Sequence, residues 1–174
     1  MFSRVSGVVG LAVDWIHQVL YWISNETGSV QAAALSGTEH TAVLSGLSSP
    51  TAIAVQPEDG FLFWSDAGIS PRIERSGLNG QNRRTLITSV IQNPVSIALD
   101  VPRGLLYWAD AGLNAVSRVT YDGLHRKTVV ESNGYLNQPF GLAVFEVSVS
   151  SKHPPPPSTP PPPLPVTSHN NFSF

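Results

Sequence analysis

The sequence predicts an all-β chain: about three blades of a β-propeller, each a four-stranded antiparallel sheet, followed by a disordered proline-rich C-terminal tail. Three observations predict it. An aromatic pair inside a short apolar run occurs three times, and its tryptophans, Trp22, Trp64 and Trp108, stand 42 and 44 residues apart. Around each pair lie four short strand-like runs separated by turn residues. No stretch carries a helical period long enough to form a helix. Tandem units of about 43 residues, four strands each, describe blades that bury their faces on one another.

Each repeat opens on an apolar run: Gly10-Leu11-Ala12-Val13-Asp14, Ala52-Ile53-Ala54-Val55-Gln56 and Ser96-Ile97-Ala98-Leu99-Asp100. A turn follows, with Glu58-Asp59-Gly60 and Pro102-Arg103-Gly104 in the second and third copies. The second strand carries the aromatic pair: Tyr21-Trp22, Phe63-Trp64 and Tyr107-Trp108. These first two strands are nearly continuous apolar runs, so both faces should be buried. The third strand alternates. Val116, Arg118 and Thr120 share one face and Ser117, Val119 and Tyr121 the other, because strand side chains point alternately up and down. Asn79-Gly80 and Asp122-Gly123 are hairpin signals, since glycine accepts positive φ. Arg83-Arg84 and Arg126-Lys127 open the fourth strand, where charge protects an outer edge from pairing with other chains. Each repeat closes on a proline: Pro50, Pro94 and Pro139. The organisation is therefore a leader at 1–9, repeats at about 10–50, 51–94 and 95–139, the first strand of a fourth at 140–146, and the tail at 147–174.

Composition narrows the function. Of 174 residues 41% are hydrophobic and 13% charged, and the net charge is −2, which gives no basis for binding nucleic acid or an acidic membrane surface. There is no cysteine, which excludes disulfides, thiolate catalysis and cysteine metal sites. The apolar run near the N-terminus is short and merges into repeat sequence, so it does not read as a signal peptide. No stretch reaches the ~20 apolar residues of a membrane-spanning helix.

Phe63-Trp64-Ser65-Asp66 and Tyr107-Trp108-Ala109-Asp110 resemble the Tyr-Trp-Thr-Asp (YWTD) motif of the low-density lipoprotein receptor class B repeat. Gly-Leu-Ala-Val-Asp-Trp at 10–15, Gly-Leu-Asn-Gly at 77–80 and Asn-Gln-Pro-Phe-Gly-Leu-Ala-Val at 137–144 resemble the same family. The resemblance covers about residues 10–146. It implies a six-bladed extracellular propeller of an endocytic lipoprotein-receptor-type membrane receptor, acting by protein–protein recognition, releasing ligands on acidification, and not an enzyme. It also implies that the motif aspartate ties blade to blade while the aromatic pair packs the blade. Asp66 and Asp110 are then latches, accepting backbone N–H groups from an adjacent strand. Ser24 departs from the motif, and the first repeat should have a weaker latch or none. The structural motif residues are Tyr21, Trp22, Phe63, Trp64, Asp66, Tyr107, Trp108 and Asp110.

Three repeats are half of such a ring. The end blades should expose apolar faces, and self-association through these faces is expected; two copies of three blades would close six. The alternative is a truncated or mispredicted product with no independent function. The partners implied are protein ligands of the receptor, with no nucleic acid and no membrane span in the chain itself.

The remaining candidates divide into site and architecture. Asn25-Glu26-Thr27 is an N-glycosylation sequon in a turn. Asn171-Phe172-Ser173, at the C-terminus, is discounted. His17, His40, His125, His153 and His169 are candidate acid switches, but none matches a family motif and no two stand at metal-ligand spacing with a carboxylate. Asp14, Asp66, Asp100 and Asp110 could be assembled into the acidic cluster of a metal-dependent propeller hydrolase. Their recurrence at equivalent repeat positions favours architecture, because catalysis needs a unique constellation. No metal or cofactor is expected. The tail holds most of the 15 prolines and has polyproline II character. Pro160–Pro165 is a candidate ligand for a proline-reading groove, set against meaningless read-through sequence.

Overall fold

The computed structural model describes residues 5–37, 40–132, 134 and 136–145. Among them, twelve strands form three four-stranded antiparallel meanders. The first sheet is β1 (Val8–Asp14), β2 (Val19–Ser24), β3 (Ser29–Ala34) and β4 (His40–Ser45). The second is β5 (Pro50–Gln56), β6 (Phe61–Asp66), β7 (Arg72–Gly77) and β8 (Arg84–Ile87). The third is β9 (Pro94–Asp100), β10 (Leu105–Asp110), β11 (Ala115–Thr120) and β12 (Lys127–Glu131). A short 3₁₀ turn at Val101–Arg103 joins β9 to β10. Residues 147–174, which carry the expected tail, lie outside the described residues, as do the start of the leader and the candidates His153, His169 and Asn171.

The sheets stack in chain order, and the first strands β1, β5 and β9 pack side by side as the innermost row. Two cores hold the stack. Tyr21, Ile23 and Val30 of the first sheet meet Ile53, Leu62 and Trp64 of the second. Phe63, Ile73 and Ile87 of the second meet Ile97, Leu106 and Trp108 of the third. The aromatic pair straddles its sheet, because adjacent strand residues face opposite ways. The tryptophan faces the preceding sheet and its neighbour faces the following one. This is why the second strand is apolar on both sides.

The irregularities repeat as faithfully as the strands. Each innermost strand shifts register near its start, around Val9, Thr51 and Val95, and each outermost strand shifts once as well. Bulges of this kind add twist and re-aim side chains. The hairpin glycines Gly37, Gly80 and Gly123 have φ of 74°, 79° and 89°. At Gly80 a Cβ would stand 2.3 Å from the Val43 carbonyl of the preceding sheet, so both φ and the close approach exclude a side chain.

Residues 140–145, expected as an opening strand, form no ladder. Leu142 N–H donates to Ser96 Oγ (3.1 Å), which lays the segment beside β9 without the pairing a strand requires. No second strand stands on its far side among the described residues, and a lone strand leaves its polar backbone unsatisfied.

Candidate functional site: the joints between blades

The motif aspartates end β6 and β10 and are almost fully buried. Asp66 accepts the N–H groups of Ser48 (Oδ2, 3.0 Å) and Ser49 (Oδ1, 2.7 Å), then that of Gly68 (3.1 Å). Asp110 repeats the pattern with Gln92 (2.8 Å), Asn93 (3.0 Å), Gly112 (3.0 Å) and Leu113 (3.0 Å). The donors differ from the sequence expectation. They belong not to a neighbouring strand but to the connection that enters the sheet from the one before. Strand N–H groups are already taken by the ladder, while a connection has donors to spare. The carboxylate therefore ties the inter-sheet connection to the end of the second strand and shapes the turn beyond it.

Ser24 fills the same position in the first sheet. Its hydroxyl donates to the Ser6 carbonyl (2.8 Å) and accepts the Thr27 N–H (3.2 Å). One bond to the connection replaces two.

Charge makes the Asp66 joint heavier than that of Asp110. Arg72 Nη2 reaches Asp66 Oδ2 (3.0 Å) and its Nε reaches Glu74 Oε2 (3.1 Å), while Arg83 Nη2 closes on Glu74 Oε2 at 2.7 Å. Burial pushes the Asp66 carboxyl up, but three backbone N–H groups and Arg72 outweigh it and hold it below its ordinary value. Glu74 follows the same logic: burial raises it, and the two guanidinium groups bring it lower. The equivalent positions in the third sheet, Ala115 and Ser117, are uncharged.

A second joint was not read from the sequence. Arg83 lies over Trp64 (5.4 Å from guanidinium carbon to ring centre) and donates to the Ser45 carbonyl of the preceding sheet (3.2 Å). Arg126 lies over Trp108 (5.0 Å) and donates to the carbonyls of Ser89 and Val90 (2.5 Å to the latter). Each arginine clamps its own tryptophan and reaches across the joint. His40 takes this place in the first sheet, its ring 5.7 Å from that of Trp22. The expectation that Arg83 and Arg126 guard an open edge is corrected accordingly; their neighbours Arg84 and Lys127 do stay exposed. The signal was available, since each arginine follows its tryptophan at nearly constant separation.

The four aspartates considered as an acidic cluster do not meet. Asp66 and Asp110 end second strands, whereas Asp14 and Asp100 end first strands, at the opposite end of antiparallel pairs. Asp14 caps its turn by accepting the N–H groups of Ile16 and His17 (3.0 and 2.8 Å) and faces His17 Nδ1 at 2.7 Å; Asp100 holds Arg103 at 2.9 Å. Burial raises the Asp14 carboxyl, and the His17 contacts more than reverse this. Among the described residues no group of three His, Asp or Glu could hold a metal ion. His125 is exposed. Asn25 is exposed in the turn after β2, its N–H bonded to the Gly7 carbonyl (2.9 Å).

A cavity of about 540 Å³ runs along the innermost row, lined by Leu11, Thr51, Ile53, Ile97 and Phe140 among others. Its walls are apolar with scattered hydroxyls and no convergent charge. No helix among the described residues is long and apolar enough to cross a membrane.

The family model of the low-density lipoprotein receptor repeat class B matches residues 60–101 and 104–146. Each match begins at the turn before an aromatic strand; the first runs through β9, the first strand of the next repeat, and the second runs past β12 to residue 146. The sequence unit is thus out of phase with the sheet and spans a joint. The vitellogenin receptor of Solenopsis invicta is 30% identical over 139 residues, which are 80% of this chain and 8% of that protein. A chain in the crystal structure of a nidogen/laminin complex is 33% identical with a TM-score of 0.71, covering 77% of this chain and 51% of that one. A structural genomics protein of unknown function from Bacteroides thetaiotaomicron VPI-5482, 12% identical with a TM-score of 0.59, covers 72% of this chain and 32% of its own and shares the fold alone. The chain thus spans about half of one relative and a small part of the other. The twofold repeat match, the recurring aromatic pairs and the three meander sheets make this chain a member of the low-density lipoprotein receptor class B (YWTD) repeat family, folded as propeller blades.

Proposed function

We propose that the chain is a non-enzymatic, extracellular protein-recognition unit of an endocytic receptor of the lipoprotein-receptor type. The observation that carries this reading is architectural. The residues that could look catalytic, the aspartates beside aromatic pairs, are occupied in equivalent joints of successive sheets and accept backbone N–H groups there. A carboxylate whose oxygens are filled with structural donors is a poor general base. Recognition then falls to the rims and loops that the rigid sheets display, as in other scaffolds that carry function on connections.

The relatives lend direction. One is named as a vitellogenin receptor, and the other is a chain from the crystal structure of a nidogen/laminin complex; both descriptions concern protein partners. On this reading the ligand is a large extracellular protein, with a vitellogenin-type lipoprotein as the first probe. The purified chain, immobilised, is expected to retain such a lipoprotein at neutral pH and to release it at about pH 5, where histidines are protonated. Failure to retain either a vitellogenin-type lipoprotein or a laminin fragment at micromolar concentration would overturn the recognition reading. Turnover of ester or phosphoester substrates in the presence of divalent metal, abolished by Asp110→Asn, would favour the hydrolase instead.

A further inference from the structure

The outer strands of the second and third sheets carry charge that edge protection does not explain. Arg75 of β7 stands directly opposite Arg84 of β8, and Arg118 of β11 directly opposite Lys127 of β12. Both pairs occupy the same repeat position, since Arg75 is also opposite Phe63 and Arg118 opposite Tyr107. Like charges facing each other across a ladder destabilise it. A cation on β8 or β12 guards an outer strand, but β7 and β11 are interior strands and have no edge to guard. The first sheet places Ala32 opposite Thr41 at this position and does without the charge.

These cations are set apart from the other arginines. Arg72, Arg83 and Arg103 close on carboxylates, and Arg126 on backbone carbonyls. Among the described residues Arg75, Arg84, Arg118 and Lys127 enter no ion pair. The Arg75 guanidinium carbon lies 4.1 Å from the centre of the Phe61 ring, which fixes the plane of the group and leaves its N–H edge for a ligand. Burial and Arg84 hold this guanidinium below its ordinary value, and Asp122 offsets them only in part. Asp122 is itself occupied by the Thr120 hydroxyl and the Leu124 N–H. With the third sheet packed on the second, Arg75 is still half-buried and Arg84 exposed, so the position opens to solvent within a formed joint. The turn before β12 lies against β8, where a Cβ on Gly123 would meet the Leu86 carbonyl at 3.3 Å. The second pair therefore follows the first across the joint.

We propose that this row binds a linear sulfated polysaccharide of the glycosaminoglycan class. Repelling cations held opposite each other are relieved by an anion between them, and the guanidinium fork suits a tetrahedral oxyanion. One pair per sheet, at one position, asks for a chain that carries anionic groups at intervals. Charge clustered along one face is the footprint of such a polymer even where net charge is slightly negative. The choice of a sulfated over a phosphorylated polymer rests on the extracellular placement proposed above. Lipoprotein retention is measured on the same samples, so the two readings fail separately.

The test titrates the full chain into a fluorescently labelled heparin octasaccharide at neutral pH and about 0.15 M salt. A micromolar dissociation constant is expected, lost at about 1 M salt, where screening shortens to about 3 Å. Arg84→Gln combined with Lys127→Gln should weaken binding at least about tenfold. The same variant should melt no lower than the parent, because it removes one repelling charge from each pair. Thr41→Arg extends the row to the first sheet and should tighten binding about fivefold. Ile69→Arg adds the same charge at a 99% exposed position in the turn at the opposite end of β7 and should leave affinity unchanged. No binding at about 50 µM chain, far above a micromolar constant, would overturn the proposal. So would a double variant that binds like the parent, or an Ile69→Arg variant that tightens binding as much as Thr41→Arg. A polyglutamate or single-stranded oligonucleotide of equal charge that binds as tightly would replace the sulfated polysaccharide with that class of ligand.

Discussion

Asp66 and Asp110 each satisfy backbone donors that no ladder can reach, and the value of the residue lies in that count. Asp110→Ala strips an acceptor from four N–H groups at a buried site. It should cost roughly 2–4 kcal/mol and lower the melting temperature by about 10 °C in a thermal scan. Ser24→Ala removes a single hydroxyl bond to the connection and should cost only about 0.5–1.5 kcal/mol. Acid should act on the same joint. Asp66 and Glu74 are held below their ordinary values of 3.8 and 4.5. A depressed carboxyl contributes stability that is fully present above its unfolded value and is lost as pH falls through the folded one. The melting temperature should therefore be level from about pH 7 to pH 5 and drop below about pH 4, and Asp66→Asn should flatten that drop.

At the scale of elements, the outermost strands decide how one sheet meets the next. Arg83→Ala removes a partner of buried Glu74, the cover of Trp64 and a bond to the preceding sheet. It should cost about 2–3 kcal/mol in chemical denaturation, while exposed Arg84→Ala stays within about 0.5 kcal/mol. The connection after β8 carries a different tension. Val90 has φ of 51°, a left-handed conformation that a β-branched residue resists, whereas the corresponding Gly46 and Gly134 adopt it freely. Its side chain is 72% exposed, so little burial would be lost on truncation. Val90→Gly should raise stability by about 1 kcal/mol, and Gly46→Val should lower it by a similar amount; urea midpoints check both. That Val90 persists beside two carbonyls gripped by Arg126 suits a connection whose shape is set by the following sheet.

For the whole molecule, stacking is the source of stability, because each sheet buries its faces only against others. The surface that remains is where function must reside. Asn25, exposed in a turn at one end of the first sheet, is proposed as a glycan site. Secretion from eukaryotic cells should give a species that shifts on glycosidase treatment, and Asn25→Gln should abolish the shift. An unshifted wild-type band would remove this site and leave Asn25 as a turn residue.

The sequence alone determined what is periodic. The strand positions of the third repeat, the hairpin glycines and the alternation of β11 are local consequences of residue type, and they were legible because the same pattern is written three times. The motif residues were legible for the same reason, and the class B repeat emerged from them. Tertiary structure decided what depends on contacts between repeats. The donors to Asp66 and Asp110 come from connections that carry no signature of their own. Arg83 and Arg126, just before the outer strands, read as edge charges until the tryptophan of the same sheet and the carbonyl of the preceding one stand beside them. The scattered aspartates part company only when antiparallel pairing sends first and second strands to opposite ends. Periodicity is a property of one chain segment at a time, while a joint is shared between segments, and its geometry appears only when they are stacked.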